Sequence, residues 1–315
     1  MILIVPERIV RQSITPEKCV KAVEEGFRLH SRNLVKGVNS RFNYNDGKSV
    51  INLYSAYVPG WGLGAKVLSA FENNPQIGER FIHSVVTVHN TETGRLEAVL
   101  DGSYLTALRT AAAVAVAARH LSRPDSKVLG ILGTGLQART HLLCHMAIHP
   151  YEKVVIWGRN PNKLKSYIDE MATQINVPLI ALESPETLCQ EADVISGTTR
   201  SRIPLFKAEA IRPGTHLGVA GPLRQEGTEI PLDLLPKAKL FVDSRQKFEC
   251  LWDSGQSPEV EAELAEVISG QACGRLNMKE ITIFKPVGMA FEDVVSARIV
   301  VDRVKREGMG YYIEW

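Results

Sequence analysis

Apolar residues change their spacing twice along this chain, and each change predicts a different kind of structure. Between residues 15 and 37, Val20, Val23, Phe27 and Leu34 fall on one face of a helix. Thr15 is its expected N-cap, Pro16 its first helical residue and Gly37 its end. From about 40 to 103 the texture shifts to short strand-like runs: "SVINLYSAYV", "GAKVLSAF" and "FIHSVVTVHNTETGRLEAVLDG". The last predicts a hairpin, because "NTETG" is a polar turn between β-rich arms. The first hundred residues thus read as an α+β unit dominated by antiparallel strands. "SYLTALRTAAAVAVAARHLS" (103–122) is apolar nearly all the way round, which predicts a buried helix.

After "RPDSK" strands and helices alternate. "VLGILG", "KVVIWG", "VPLIAL", "ADVISGTT", "HLGVAG", "KLFVDS" and "ITIF" are the expected strands, most with helical segments between them. That order predicts a parallel, doubly wound α/β sheet of Rossmann type. The last helix, "GMAFEDVVSARIVVDRVKRE", leads to "GYYIEW", an end apolar enough to be expected to pack back on the N-terminal domain.

Composition narrows the function classes. With 315 residues there is material for two domains. A net charge of +2 gives no polybasic field, so no nucleic-acid partner and no anionic membrane partner is expected. No apolar run reaches the ~18 residues of a membrane span. The start, "MILIVPERIVRQ", lacks the charged region and cleavage site of a signal peptide. Five scattered cysteines without a C-x-x-C pair argue against a disulfide framework and for a reducing, cytoplasmic location.

The candidate chemistry starts at "VLGILGTGLQARTHL" (128–142). Gly133 permits a tight turn between strand and helix, and Gly135 lets the backbone approach a diphosphate. Ala138 is small enough for the helix to pack on the strand. The diphosphate would then lie on the helix N-terminus. The next strand ends about 20 residues further on, where such folds read the ribose. An NAD site wants a carboxylate there; this chain has Gly158, Arg159 and Asn160, then Lys163. Arginine suits a 2′-phosphate, so NADP(H) is favoured over NAD(H), the alternative being that Arg159 and Lys163 are solvated surface charges. His141, His145 and His149 have the spacing of a metal-binding helix face, but no carboxylate or second cysteine completes a shell, and no metal is expected.

Three cations stand out in the first domain. Arg109 lies in "LTALRTAAAVAVA" and Lys66 in "GLGAKVLSAF", both among small or apolar neighbours; Arg41, in "NSRFNY", is less distinctive. A buried guanidinium needs a partner, and a bidentate carboxylate is its usual one. The competing reading is an internal salt bridge to a first-domain acid such as Asp101 or Glu97. Converging near a nicotinamide, the three would make a site for the carboxylate of an α-imino or α-amino acid.

Taken together, "DGSYLTALRTAAAVAVAARHLSRPDSK", "ILGTGLQARTH", "IWGRNP", "GAKVLSAFENNP" and "KPVGMAFED" resemble the ornithine cyclodeaminase/mu-crystallin family, in that family's order and over nearly the whole chain. The resemblance implies a substrate-binding and dimerisation domain from 1–122 and 292–315, with a Rossmann dinucleotide-binding domain, 123–291, between. It implies a homodimer formed through the N-terminal domain. It places Arg41, Lys66 and Arg109 at the substrate carboxylate and Ser84 and Thr110 at or beside the cofactor. Leu136 and Gln137 match the diphosphate loop, Gly158 and Arg159 the ribose end, and Thr198, Val219, Ala220 and Gly288 the nicotinamide side.

One departure bears on the reaction. By the resemblance, cyclodeaminases carry an aspartate for proton transfer just after the glycine of the loop that here reads "VAGPLRQEGTE". In this chain Pro222 follows Gly221, then Leu223, and the nearest acids are Glu226 and Glu229. A proline ring exchanges no proton. The expected activity is therefore NADP(H)-dependent reduction of cyclic ketimines of the pyrroline-2-carboxylate or piperideine-2-carboxylate type, with Lys66 or water as proton donor. The alternatives are an ornithine cyclodeaminase with Glu226 in place of the aspartate, an amino-acid dehydrogenase, and a crystallin-like NADPH-binding protein without turnover.

Overall fold

The computed structural model describes residues 1–44, 49–253 and 255–314. The chain divides into two compact units, Met1–Arg109 with Met289–Trp315, and Thr110–Gly288.

The first unit opens with β1 (Ile2–Val5), α1 (Glu7–Ser13) and α2 (Pro16–Ser31). The Thr15 hydroxyl accepts from the Lys18 amide and caps α2, and Val20, Val23 and Phe27 are buried as the spacing predicts. The helix is shorter than expected. Asn33 turns into the left-handed region (φ 58°), and residues up to and beyond Gly37 continue as strand β2 (Lys36–Tyr44), which leaves Leu34 exposed. β3 (Ser49–Val58), β4 (Gly62–Phe71), β5 (Ile82–His89) and β6 (Leu96–Asp101) complete an antiparallel meander with β2. The β5–β6 turn is held by Asn90, whose side-chain oxygen accepts from the amides of Glu92 and Thr93. The chain then enters α3 (Ser103–Leu121), buried along its length from Ala111 to Ala118, and the division between the units falls within this helix.

The second unit runs β7 (Val128–Leu132), α4 (Leu136–Met146), β8 (Lys153–Trp157), α5 (Pro161–Met171), β9 (Leu179–Ala181), α6 (Pro185–Glu191) and β10 (Val194–Gly197). β11 (His216–Val219) follows, then a short hairpin of β12 (Leu223–Arg224) and β13 (Gly227–Thr228). β14 (Ala238–Val242), α7 (Arg245–Glu249), β15 (Ala262–Glu263), α8 (Leu264–Ile268) and β16 (Ile281–Lys285) complete it. The large sheet has the order β15-β14-β16-β11-β10-β7-β8-β9, and every neighbouring pair is parallel. Buried residues alternate between two cores: Val154 and Ile156 join the one under α4 and α5, while Val155 joins the one containing Leu188, Leu217 and Phe248. Strand order reverses between β7 and β10, so the loops after these two strands flank the crevice where such sheets bind ligands.

α9 (Ala290–Glu307) and β17 (Tyr311–Ile313) return to the first unit. α9 packs on α2 and on the β3–β4 face; a Cβ on Gly26 would come within 2.6 Å of the Phe291 ring. β17 pairs antiparallel with β1, which itself runs parallel to β6, giving the order β17-β1-β6-β5-β4-β3-β2. The aromatic end thus docks through its backbone while Tyr311 and Tyr312 stay exposed; Trp315 lies outside the described residues.

The two faces of this sheet differ. Gly64, Lys66, Leu68, Val86 and Val88 are buried on one. The other presents Val38, Phe42, Leu53, Tyr57, Val67 and Val85, all exposed, with Leu53, Val67 and Val85 directly opposite one another on three adjacent strands. Among the described residues no helix is long and apolar enough to cross a membrane.

Candidate active site

Candidate residues lie in both units. In the first, Lys66 on β4 and Arg109 on α3 are buried, and both are paired internally. The Lys66 ammonium donates to Asp293 (2.7 Å) and lies 4.5 Å from the centre of the Tyr54 ring. Arg109 donates through Nε to the same Asp293 oxygen (3.1 Å) and through Nη1 to Glu292 (2.7 Å). The salt-bridge alternative is therefore realised, but with different partners. Asp101 instead accepts from the Ser103 amide at the start of α3, and Glu97 pairs with Arg298 and Lys305. The acids that matter are the first-turn residues of α9, buried between Phe291 and Val294.

These two cations and two carboxylates are buried together and offset one another's charge, the condition under which burying them is tolerable. Burial lowers the Lys66 pKa to about 8, and the Arg109 charge adds to this, against the pull of Asp293. Asp293 keeps its second oxygen, Oδ2, buried without a hydrogen bond among the described residues. Arg41 stands apart. It faces the same side of the sheet as Lys66, through the register Arg41–Asn52–Leu68, but is exposed on edge strand β2 and enters none of these ion pairs. Ser84 lies on that same face, its hydroxyl 3.2 Å from that of Thr106, and Thr110 follows Arg109 along α3.

In the second unit the glycine loop has the shape a diphosphate requires. Gly133 adopts φ +118°, and a Cβ there would meet the Thr198 hydroxyl at 2.7 Å. Gly135 has open space where a side chain would stand, and among the described residues no side chain caps α4, so the first-turn amides of Leu136 and Gln137 suit an anion. Arg139 ties the carbonyls of Thr134 and Gly135 back toward the helix (2.7 and 3.2 Å) and is itself held by Glu170. Carbonyls turned away and amides turned out suit an anion; these residues fit a dinucleotide diphosphate.

At the ribose end, Gly158 lets Thr134 approach, since a Cβ would lie 2.6 Å from its methyl group. Arg159 is exposed and in no ion pair among the described residues. Asn160 proves to be the N-cap of α5, accepting from the Lys163 amide (3.0 Å), so its side chain and that amide are already committed. Of the helix histidines, His141 and His145 both reach the Ser196 hydroxyl (3.0 Å each), and His141 also meets Gln137 (3.1 Å). Burial holds both imidazoles neutral, with His145 lowered to about 3.

The loops beyond β10, β11 and β16 are tied by buried charges. Thr198 donates to the Leu132 carbonyl at the end of β7 (2.7 Å). Glu229 accepts from the Gly221 amide (2.8 Å) and from both the amide and hydroxyl of Thr199 (3.0 and 2.8 Å). Lys285 donates to the carbonyls of Val219 and Gly221 (3.2 and 2.8 Å), while the amide of Ala220 bonds the Gly197 carbonyl (2.8 Å). Asp243 accepts from the amides of Val287 and Gly288, and Lys247 donates to the Gly288 carbonyl. Burial raises Glu229 to about 7, against the Thr199 hydrogen bonds and the Lys285 charge, and burial lowers Lys285 to about 8. Glu226 does not occupy this position: it lies exposed on the β12–β13 turn, beside Arg224.

A family model for the ornithine cyclodeaminase/mu-crystallin family matches residues 3–308, and the chain belongs to this family. A Delta(1)-pyrroline-2-carboxylate reductase of Bacillus cereus is 33% identical over 265 residues, covering 80% of this chain and 81% of its own. Among solved structures, Thermococcus litoralis Delta(1)-pyrroline-2-carboxylate reductase in complex with NADH and L-proline superposes with a TM-score of 0.91 at 28% identity, covering 99% of this chain and 100% of its own. An archaeal alanine dehydrogenase dimer with bound NAD gives 0.92 at 28% identity, covering 100% and 99%.

The buried cluster makes a contrast that unfolding experiments can read. Glu292→Gln removes one of the two counter-charges described here for Lys66 and Arg109 and is expected to destabilise the protein by about 3 kcal/mol or more. Glu97→Gln, which touches only a partly exposed pair, is expected to shift it by less than about 1 kcal/mol. Urea denaturation of both variants at neutral pH compares them directly; equal effects would show that the cluster carries no special weight.

Proposed function

We propose that this protein is an NADP(H)-dependent reductase of cyclic ketimines carrying a carboxylate on the imine carbon, of the pyrroline-2-carboxylate or piperideine-2-carboxylate type. The observation that carries the reading is the pairing of a diphosphate-shaped glycine loop in one unit with buried cations at carboxylate-binding positions in the other. Such a nicotinamide cofactor supplies a hydride when bound. Lys66 and Arg109 anchor the substrate carboxylate, and Arg41, on the same sheet face, adds an exposed third cation. Asp293 and Glu292 fix the direction of both buried cations, so the anchor is set before substrate arrives. As the imine carbon takes up hydride, the nitrogen needs one proton. Lys66, lowered to about 8, releases a proton at neutral pH more readily than an ordinary lysine and is the donor we favour. The position after Gly221 is Pro222, which offers no acid for the water-activating step of cyclodeamination.

With pyrroline-2-carboxylate or piperideine-2-carboxylate, NADPH is expected to be consumed, followed by its loss of absorbance, and ornithine is expected to release no ammonia. A protein that binds NADPH yet turns over neither imine would sink the reading.

The choice of NADP(H) rests on Arg159, a free guanidinium at the ribose end with no carboxylate beside it. Arg159→Gln should weaken NADPH by about ten- to a hundredfold, the range for hydrogen bonds to a charged group, while NADH is little affected. Titration of both coenzymes checks this, and an unchanged NADPH-to-NADH ratio would return Arg159 to the solvated surface.

The working assembly is a homodimer built on the exposed apolar sheet face. Val67 stands at its centre, between Leu53 and Val85. Val67→Asp is expected to turn the dimer into a monomer, as judged by light scattering after size exclusion. A mass that does not change would move the interface elsewhere.

A further inference from the structure

In the second unit the strand order is β8-β7-β10-β11-β16. A dinucleotide whose diphosphate lies on the loop after β7 has its adenosine half toward β8, where Gly158 and Arg159 stand. Its other half must then extend over the ends of β10, β11 and β16. Those ends are the ones tied by Glu229 and Lys285.

The wiring is specific. Glu229 reaches its place only because two neighbours are glycines: a Cβ on Gly221 would sit 2.2 Å, and one on Gly197 2.5 Å, from its Oε1. Its carboxylate gathers three donors from two loops, one beyond β10 (Thr199) and one beyond β11 (Gly221). Lys285, the last residue of β16, takes two carbonyls of the β11 loop from the other side. One peptide segment, Val219–Gly221, is thus gripped by an acid at its amide and by a base at its carbonyls. Arg224 and Asp243 supply the remaining charges near the pair. Glu229 and Lys285 both direct hydrogen bonds to main-chain atoms of these loops, so both act through the backbone they hold.

We propose that Glu229 and Lys285 are a positioning pair that shapes the nicotinamide half of the cofactor site, leaving the adenosine and diphosphate half to the β7–β8 loops. The proposal rests on the nicotinamide-dinucleotide reading above. Glu229→Gln replaces one acceptor oxygen by an amide that cannot accept from the same donors, so either Thr199 loses its acceptor or the Gly221 amide keeps only the Gly197 carbonyl (3.2 Å), and the segment loosens. Lys285→Met frees the two carbonyls.

The test compares two ligands that differ only in the nicotinamide: NADPH and ADP-ribose 2′-phosphate, titrated calorimetrically into the full-length protein. In Glu229→Gln and Lys285→Met, the advantage of NADPH over the fragment should shrink by about tenfold or more, with the fragment's own affinity within about threefold of wild type. The fluorescence of bound NADPH should move toward that of free coenzyme. Thr199→Val, which deletes a single hydroxyl donor, should shift the ratio in the same direction by a smaller factor. If a single charge variant fails to fold, Thr199→Val and the double variant Glu229→Gln/Lys285→Met, in which no charge is left alone, carry the measurement. An unchanged ratio overturns the proposal, as does an equal loss of both ligands, which would mark the pair as a general brace. A wild-type protein that binds neither NADPH nor NADH overturns the cofactor reading and the proposal with it.

Discussion

The first unit is organised around four charges that cannot be buried separately. Lys66 comes from β4 and Arg109 from α3, both early in the chain, whereas Glu292 and Asp293 come from the first turn of α9, near its end. Each cation alone in that apolar setting would cost several kcal/mol, and so would each acid. The chain therefore has to build a whole second unit and come back. Where α9 settles is fixed by this requirement as much as by its apolar stripe, and the tight approach of Gly26 to Phe291 follows from the same placement.

The second unit solves a related problem with backbone partners. Its loops carry glycines where close approach is needed, and loops of that kind have no side chains of their own to stiffen them. Stiffness comes from outside: Arg139 on the diphosphate loop, Glu229 and Lys285 on the loops after β10 and β11, Asp243 and Lys247 around Gly288. Each is a charged group that makes at least one hydrogen bond to main-chain atoms of these loops. Charge-assisted bonds of this kind are roughly twice as strong as neutral ones, which suits a site that must keep its shape when a ligand leaves.

Much of this was legible in the sequence, and the pattern of what was missed has a physical basis. Strands β7 to β11, the β5–β6 hairpin and the buried α3 follow from local periodicity, which reports on a residue's immediate neighbours. The helix over 15–37 was read too long because nothing in the residue pattern shows that Asn33 turns left-handed and Gly37 joins a strand. Asn160 also caps α5, a role marked in the sequence by its place one residue before Pro161. The partners of Arg109 were sought in Asp101 and Glu97, close in sequence; the actual ones are more than 180 positions away. Their signal was present as two acids inside an apolar run, "AFEDVV", which cannot be solvated on a helix buried there. Glu229 left a fainter trace, and the exposed Glu226 three positions before it drew attention first.

The return of α9 also sets an order of events in the life of the molecule. Residues 110–288 form one continuous stretch, so every contact within the second unit can be made while the ribosome still holds the last part of the chain. The first unit is interrupted, and its buried charges stay unbalanced until residues 289–315 emerge. A polypeptide ending before residue 289 would therefore contain every residue of the second unit and lack Glu292 and Asp293. Order of synthesis thus makes the buried ion pairs of Lys66 and Arg109 the last of these contacts to form.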